Sequence, residues 1–80
     1  MSQFYMHENA MDVCIEVVAT QYKDDQKIKM KVFWWNLGYV GEPYRLFPTA
    51  EKLIVRTEDW PKWKNITDRI DIKREAPGLP

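Results

Sequence analysis

Two runs of alternating side chains between residues 12 and 36 constrain the fold more than any other feature of the sequence. Apolar positions recur at every second residue along each run, which is the period of a strand with one buried face. These positions are Val13, Ile15, Val17 and Ala19 in the first run, and Met30, Val32 and Trp34 in the second. The polar segment between them, residues 22–27, is suited to a turn. The sequence therefore predicts a β-hairpin centred on Asp24 and Asp25.

The pairing register of this hairpin follows from the position of its turn. It sets Ala19 opposite Met30, Val17 opposite Val32 and Ile15 opposite Trp34. Each inward side chain of one strand then meets an inward side chain of the other. Because a slip of one residue would turn every side chain to the other face, the agreement supports this register.

The same register predicts a second face that carries lysines and aromatic rings. Along the second strand this face presents Lys27, Lys29, Lys31, Phe33 and Trp35, and it presents Cys14, Glu16, Val18, Thr20 and Tyr22 along the first, with Tyr22 beside Lys27. The chain contains four Trp, four Tyr and three Phe residues, more rings than a core of this size encloses. We therefore expect some rings to be exposed, with Trp34 in the core and Trp60 exposed in a turn. The alternative is that one of the terminal segments covers them.

The remaining segments are less regular. Residues 1–11 have no clean period and are predicted to form an N-terminal arm, and residues 75–80 a C-terminal tail. The glycines and proline of residues 36–43 mark a loop. The apolar run at residues 53–55 predicts a strand that is buried on much of its surface. Residues 61–74 are consistent with a turn over 61–65 followed by a strand over 69–73, or with a helix.

Four or five short strands around one core predict a mainly β fold. We expect a single β-rich domain over residues 12–74, built as a small rolled sheet or a partly open five-stranded barrel of the SH3-like or OB-like kind. The alternative is an α+β roll with a C-terminal helix. The choice depends on residues 61–74.

Composition excludes several classes of protein. The 12 Lys and Arg residues balance the 12 Asp and Glu residues, which argues against a histone-like polycation or an acidic DNA mimic. The single cysteine cannot form an intrachain disulfide, and this favours a reducing compartment. Neither a signal peptide nor a membrane-spanning run is visible. We therefore expect a cytoplasmic protein without a membrane partner.

The residues that usually carry catalysis are scarce. His7, Cys14 and Ser2 are the sole representatives of their types, and no second soft ligand stands at metal-binding spacing. A thiolate–imidazole pair would require the N-terminal arm to fold back over the hairpin. We therefore predict no enzyme, no catalytic residue, no metal and no cofactor.

The function predicted from these features is that of a small binding module, such as an adaptor, an inhibitor or an accessory subunit. The expected partner is another protein, because rings flanked by lysine stems are typical of protein interfaces. The predicted binding residues are Tyr22, Lys27, Lys29, Lys31, Phe33, Trp35, Trp60 and Lys62. The alternatives are single-stranded nucleic acid on the same face and a homodimer.

Overall fold

The computed structural model describes residues 2–37 and 43–69, which form one antiparallel sheet of six strands. The strands are β1 (Gln3–His7), β2 (Val13–Lys23), β3 (Lys27–Asn36), β4 (Tyr44–Arg45), β5 (Glu51–Arg56) and β6 (Trp63–Asn65). A 3-10 helix, Thr57–Lys62, joins β5 to β6. The predicted mainly β fold is confirmed; the described residues form six strands where four or five were predicted, and these strands do not close into a barrel. The likeness to SH3 or OB folds stays a prediction.

The long strand β3 organises the sheet. The strand order is β4-β3-β2-β1-β6, and β5 also pairs with β3. The edge of β3 away from β2 is thus shared, with β4 beside its C-terminal end and β5 beside its N-terminal end. The 3-10 helix then carries the chain from β5 to β6, which forms the opposite edge of the sheet. No helix in the described part of the chain has both the length and the apolar character needed to cross a membrane.

The segment predicted as an N-terminal arm contributes β1 to the sheet. Residues 3–7 pair with β2 along one edge and with β6 along the other. Phe4 is buried on one face of the sheet, and Tyr5 packs against the apolar cluster on the other. A strand that packs on both faces has no polar side, and this explains why the segment shows no clean period.

The hairpin of β2 and β3 is confirmed, and its predicted register holds in one half only. Val17 pairs with Val32 and Ile15 with Trp34, as predicted. Beyond Val17 the register shifts twice, so that Ala19 lies opposite Lys31 and not Met30. Each shift inserts one extra residue into β2, which is the effect of a β-bulge. The predicted register of Tyr22 with Lys27 is wrong for the same reason, since Tyr22 lies opposite Lys29, although Lys27 Nζ still lies 5.7 Å from the centre of the Tyr22 ring.

The sheet carries an apolar cluster on each face. The larger cluster buries Ile15, Ile28, Met30, Val32 and Val55, with Tyr5, Val17, Trp34, Leu53, Trp60 and Trp63 packed against it. The smaller cluster lies on the other face and buries Phe4, Cys14, Trp35 and Leu37. Trp34, which the sequence assigned to the core, is half-buried at the larger cluster. The sheet is therefore the middle layer between these two apolar clusters.

The C-terminal segment differs from both predictions. Pro61 belongs to the 3-10 helix, and the chain is already extended at Trp63, so a turn over 61–65 and a helix over 61–74 are both wrong. Trp63 pairs with His7, and this pairing with β1 holds the segment in the extended form. The predicted tail and residues 70–73 of the predicted strand lie outside the described residues, as do residues 38–42 of the predicted loop.

Candidate functional site

Trp35, the central residue of the predicted exposed patch, is buried. Only 1% of its surface is exposed, so the prediction that it lies at the surface is wrong. Its indole N–H donates a hydrogen bond to Glu16 Oε1 at 3.0 Å, and its ring meets the edge of Phe4 at a centroid distance of 6.2 Å. Phe4 from β1 and Leu37 after β3 pack around it. The ring is therefore part of the smaller core.

Phe33 is covered by a cation. The guanidinium carbon of Arg45 lies 3.9 Å from the centre of the Phe33 ring and 5.4 Å from that of Trp35. Arg45 Nη2 also lies 3.7 Å from Oε1 of Glu16, a carboxylate of which 8% is exposed. A guanidinium over a ring is held by attraction to the π face, and here the carboxylate adds to that attraction. Phe33 and Trp35 therefore do not form an open aromatic patch on this face.

The other end of the same face carries a group of cations from two strands. Lys27, Lys29 and Lys31 alternate along β3 with the buried residues Ile28, Met30 and Val32, so their side chains leave the core. Strand β5 lies alongside, and its register sets Arg56, Ile54 and Lys52 opposite the three lysines. We call this surface the basic face: Lys27, Lys29, Lys31, Lys52 and Arg56, with Tyr22 and Ile54 beside Lys29.

Sequence reasoning missed the contribution of β5. The apolar run at residues 53–55 predicted a strand buried on much of its surface, whereas Ile54 is 57% exposed. Leu53 and Val55 face the larger cluster, and Lys52 and Arg56 lie on the side of Ile54. The alternation of residues 52–56 contained this signal, because a strand with one buried face places every second residue outside.

Like charges lie directly opposite each other twice on the basic face. Lys31 faces Lys52, and Lys27 faces Arg56. Side chains opposite each other in an antiparallel pair have Cβ atoms about 4.5–5.5 Å apart, and like charges at that distance destabilise the sheet. Glu58 pairs with Arg56, but within residues 2–37 and 43–69 no carboxylate forms an ion pair with any of the four lysines. The face thus concentrates positive charge, which Glu58 offsets at Arg56 and the nearby Asp24 carboxylate offsets at Lys27, while Lys29, Lys31 and Lys52 form no ion pair with the described residues.

Tyr22 is held at the turn end of this face. It is 48% exposed, and its hydroxyl donates a hydrogen bond to Asp24 Oδ2 at 2.7 Å. Asp24 Oδ1 accepts hydrogen bonds from the backbone N–H groups of Gln26 and Lys27, each at 2.8 Å. The hydroxyl and these N–H groups lower the pKa of Asp24, and the hydrogen bond to the carboxylate raises the pKa of Tyr22. The turn therefore fixes the position of the Tyr22 ring, which is the one exposed aromatic ring of the basic face among the described residues.

The structure separates the last two predicted site residues from the lysines. Trp60 is half-buried and not exposed, with its ring centre 4.6 Å from that of Tyr5 and 6.3 Å from that of Trp63. These rings pack against the larger cluster, on the opposite side of the sheet from the basic face. Lys62 is exposed, and its Nζ lies 3.4 Å from Asp59 Oδ1. Neither residue joins the basic face.

His7 and Cys14 do not form a catalytic pair. Cys14 has no exposed surface and lies in the smaller cluster, whereas His7 contacts Trp63, which packs against the larger cluster. His7 Nδ1 accepts a hydrogen bond from the backbone N–H of Asn9 at 3.0 Å, and its ring centre lies 5.0 Å from that of Trp63. The sheet thus stands between the thiol and the imidazole. Within the described ranges, no three His, Cys, Asp or Glu side chains are grouped so that they could hold a metal ion.

Comparison of the chain with known protein families, with curated proteins and with solved structures finds no match. The class of molecule is therefore defined by the sheet and its surfaces: a small, open, antiparallel β sheet with a cationic face. Any functional conclusion rests on the residues of that face.

Proposed function

We propose that this chain is a non-enzymatic binding module of the cytoplasm, an adaptor, inhibitor or accessory subunit, that engages an acidic protein partner through the basic face. The observation that carries the proposal is the double pairing of like charges, Lys31 with Lys52 and Lys27 with Arg56. Each pair costs the folded chain stability in isolation. An acidic partner turns the same pairs into attractive contacts.

The chemistry of the basic face suits a protein surface. Lysine side chains carry long aliphatic stems that cover apolar area while their ammonium groups reach solvent. Lys29 lies between Tyr22 and Ile54, so apolar surface occurs in the middle of the charges. A partner with carboxylates around an apolar side chain complements both features. Electrostatic complementarity of this kind speeds association and selects the partner.

Single-stranded nucleic acid is the second candidate, because lysines at every other residue could follow a phosphate backbone. Sequence-tolerant binding of that type also relies on several rings, on which successive bases stack. On the basic face Tyr22 is exposed, whereas Phe33 lies under Arg45 and Trp35 is buried. The balance of 12 cationic and 12 anionic residues further limits attraction to phosphates. We therefore favour the protein partner.

A homodimer is the third candidate. Two copies of the chain meeting through their basic faces would repel each other.

A charge-reversal experiment tests the proposal. The test variant is Lys31→Glu/Lys52→Glu, which breaks the basic face. The matched control is Lys62→Glu/Lys64→Glu, which makes the same change in net charge at exposed positions away from it. Immobilised wild type, test variant and control are incubated with lysate of the native host, with and without nuclease, at low and moderate salt. Bound proteins are identified by mass spectrometry.

The expected result is a protein that wild type and control retain after nuclease treatment and that the test variant loses. Retention by the test variant as well would overturn the role of the basic face. Binding that disappears with nuclease and falls steeply with salt would replace the proposal with nucleic-acid binding, because each phosphate contact releases counterions.

A further inference from the structure

Strand β5 offers a free backbone edge next to the basic face. It pairs with β3 along one edge, and no other strand in the described part of the chain pairs with it. The N–H of Thr57 donates a hydrogen bond to the carbonyl of Gln26 at 2.9 Å, and this bond continues the register of β5 with β3. In an antiparallel pair, alternate residues turn their N–H and C=O groups toward the partner strand. Leu53 and Val55 therefore bond to β3.

The intervening residues Lys52, Ile54 and Arg56 turn their N–H and C=O groups to the free edge. Their side chains belong to the basic face, so the edge presents backbone hydrogen-bonding groups and a pattern of cation, apolar and cation. We propose that this edge binds an extended acidic segment of the partner as an added strand, an inference that rests on the proposed function. Strand addition takes affinity from main-chain hydrogen bonds and specificity from alternate side chains.

The pattern of side chains specifies the segment. Residues that lie opposite each other on neighbouring strands share a face of the sheet. The positions opposite Lys52 and Arg56 take carboxylates, and the position opposite Ile54 takes an apolar side chain. The five consecutive residues of the bound segment are therefore an acidic residue, any residue, an apolar residue, any residue and a second acidic residue. Its carboxylates also offset the repulsion of Lys52 by Lys31, and at Arg56 they add to the attraction of Glu58, which already pairs with that guanidinium beside Lys27.

A second copy of this chain fits the edge less well. It would bring its own Lys52 and Arg56 to the same edge, and charged edge residues oppose pairing of identical strands. The charges that disfavour self-association thus favour an acidic strand.

The test uses a synthetic peptide, Thr-Glu-Thr-Val-Thr-Glu-Thr, and a counterpart with Lys in place of Glu. Amide hydrogen exchange of the full chain is followed by NMR with each peptide. The acidic peptide is expected to slow exchange at Lys52, Ile54 and Arg56 at least tenfold. Leu53 and Val55 should change little, because their amides already bond to β3. The Lys peptide should leave the edge amides unchanged.

Two variants at one position separate the backbone from the side chain. Ile54→Pro removes an N–H that points to the free edge, and proline is tolerated at such edge positions. Ile54→Ala keeps the N–H and removes most of the side chain. We expect Ile54→Pro to weaken binding of the acidic peptide at least tenfold relative to Ile54→Ala. Thermal unfolding monitors the fold of both variants. If Ile54→Pro does not fold, amide hydrogen exchange of the wild type with the two peptides decides whether the edge binds an added strand.

The outcomes distinguish this inference from the proposed function. Edge amides that are protected before any peptide is added would overturn strand addition, since the edge would already be occupied. Binding that shifts the lysine resonances of the basic face without protecting the edge amides would also overturn it, while the proposed function would stand. The proposed function fails by itself if reversing Lys31 and Lys52 leaves the captured proteins unchanged.

Discussion

Replacement of Trp35 by phenylalanine probes the buried contact that the sequence did not reveal. The change keeps an aromatic ring in the smaller cluster and removes the indole N–H that donates to Glu16 at 3.0 Å. Glu16 then keeps Arg45 as a partner at 3.7 Å and loses its closest donor. The matched control is Trp34→Phe. Trp34 is half-buried, and its indole nitrogen has no hydrogen bond within the described residues.

The expected cost of Trp35→Phe follows from the lost hydrogen bond. Hydrogen bonds to charged groups contribute about 1.5–3 kcal/mol, and the space left by the smaller ring adds to this loss. We therefore expect the free energy of unfolding to fall by about 2–3 kcal/mol, against less than about 1 kcal/mol for Trp34→Phe. An 80-residue domain has a total stability of roughly 4–12 kcal/mol, so the variant should still fold. Alanine at this position would cost about 3–5 kcal/mol and endanger the fold.

The measurement is thermal and urea unfolding followed by far-UV circular dichroism, a signal dominated by the backbone. For a domain of this size, a loss of 2–3 kcal/mol lowers the Tm by roughly 10–20 °C. Equal losses from both variants, or a larger loss from Trp34→Phe, would refute the assignment of Trp35 to a buried, hydrogen-bonded site.

Three further predictions concern the turn, the cation over the rings and the thiol. The pKa of Asp24 is lowered, so the hydrogen bonds to its carboxylate stabilise the turn above the ordinary aspartate pKa and are lost as pH falls through the lowered pKa. The pKa of Tyr22 is raised, so the hydrogen bond from its hydroxyl is lost as pH rises through the raised pKa. NMR shifts of the amides that donate to Asp24 should therefore stay constant between these limits, and a change near neutral pH would contradict this. Arg45→Ala should uncover Phe33 and Trp35 and increase quenching of tryptophan fluorescence by acrylamide, whereas the control Arg56→Ala, which removes an exposed arginine paired with Glu58, should not; equal quenching would show that the guanidinium of Arg45 is not a cover. Cys14 has no exposed surface, so a thiol reagent should modify it quickly in denaturant and slowly without it; fast modification of the folded chain would contradict its burial.

The hairpin was predictable because its signal is local. Apolar side chains recur at every second position in residues 13–17 and again at Met30, Val32 and Trp34, and the polar turn between the strands sets the first register. The two shifts in β2 had no such signal, because residues 18–23 are exposed on both faces and carry no alternation of buried and exposed side chains that an extra residue would disturb. The predicted partners of Ala19 and Tyr22 were wrong for this reason.

Half of the candidate site was predictable in the same way. Alternation along β3 places Lys27, Lys29 and Lys31 outside, and the structure agrees. The cations of β5 required knowledge that β5 pairs with β3, a contact between residues 19 to 29 positions apart in the chain. Pairings of this kind depend on the whole fold and are weakly encoded in any single segment.

The sequence by itself determined that β2 and β3 are strands and which side chains share each of their faces near Val17 and Val32. Only the tertiary structure decided what lies over those faces. Phe4 and Leu37 bury Trp35, Arg45 covers Phe33, and Lys52 and Arg56 extend the row of lysines. The physical reason is that backbone geometry imposes the two-residue period within a strand, whereas burial depends on the segments that pack against it, and these come from distant parts of the chain.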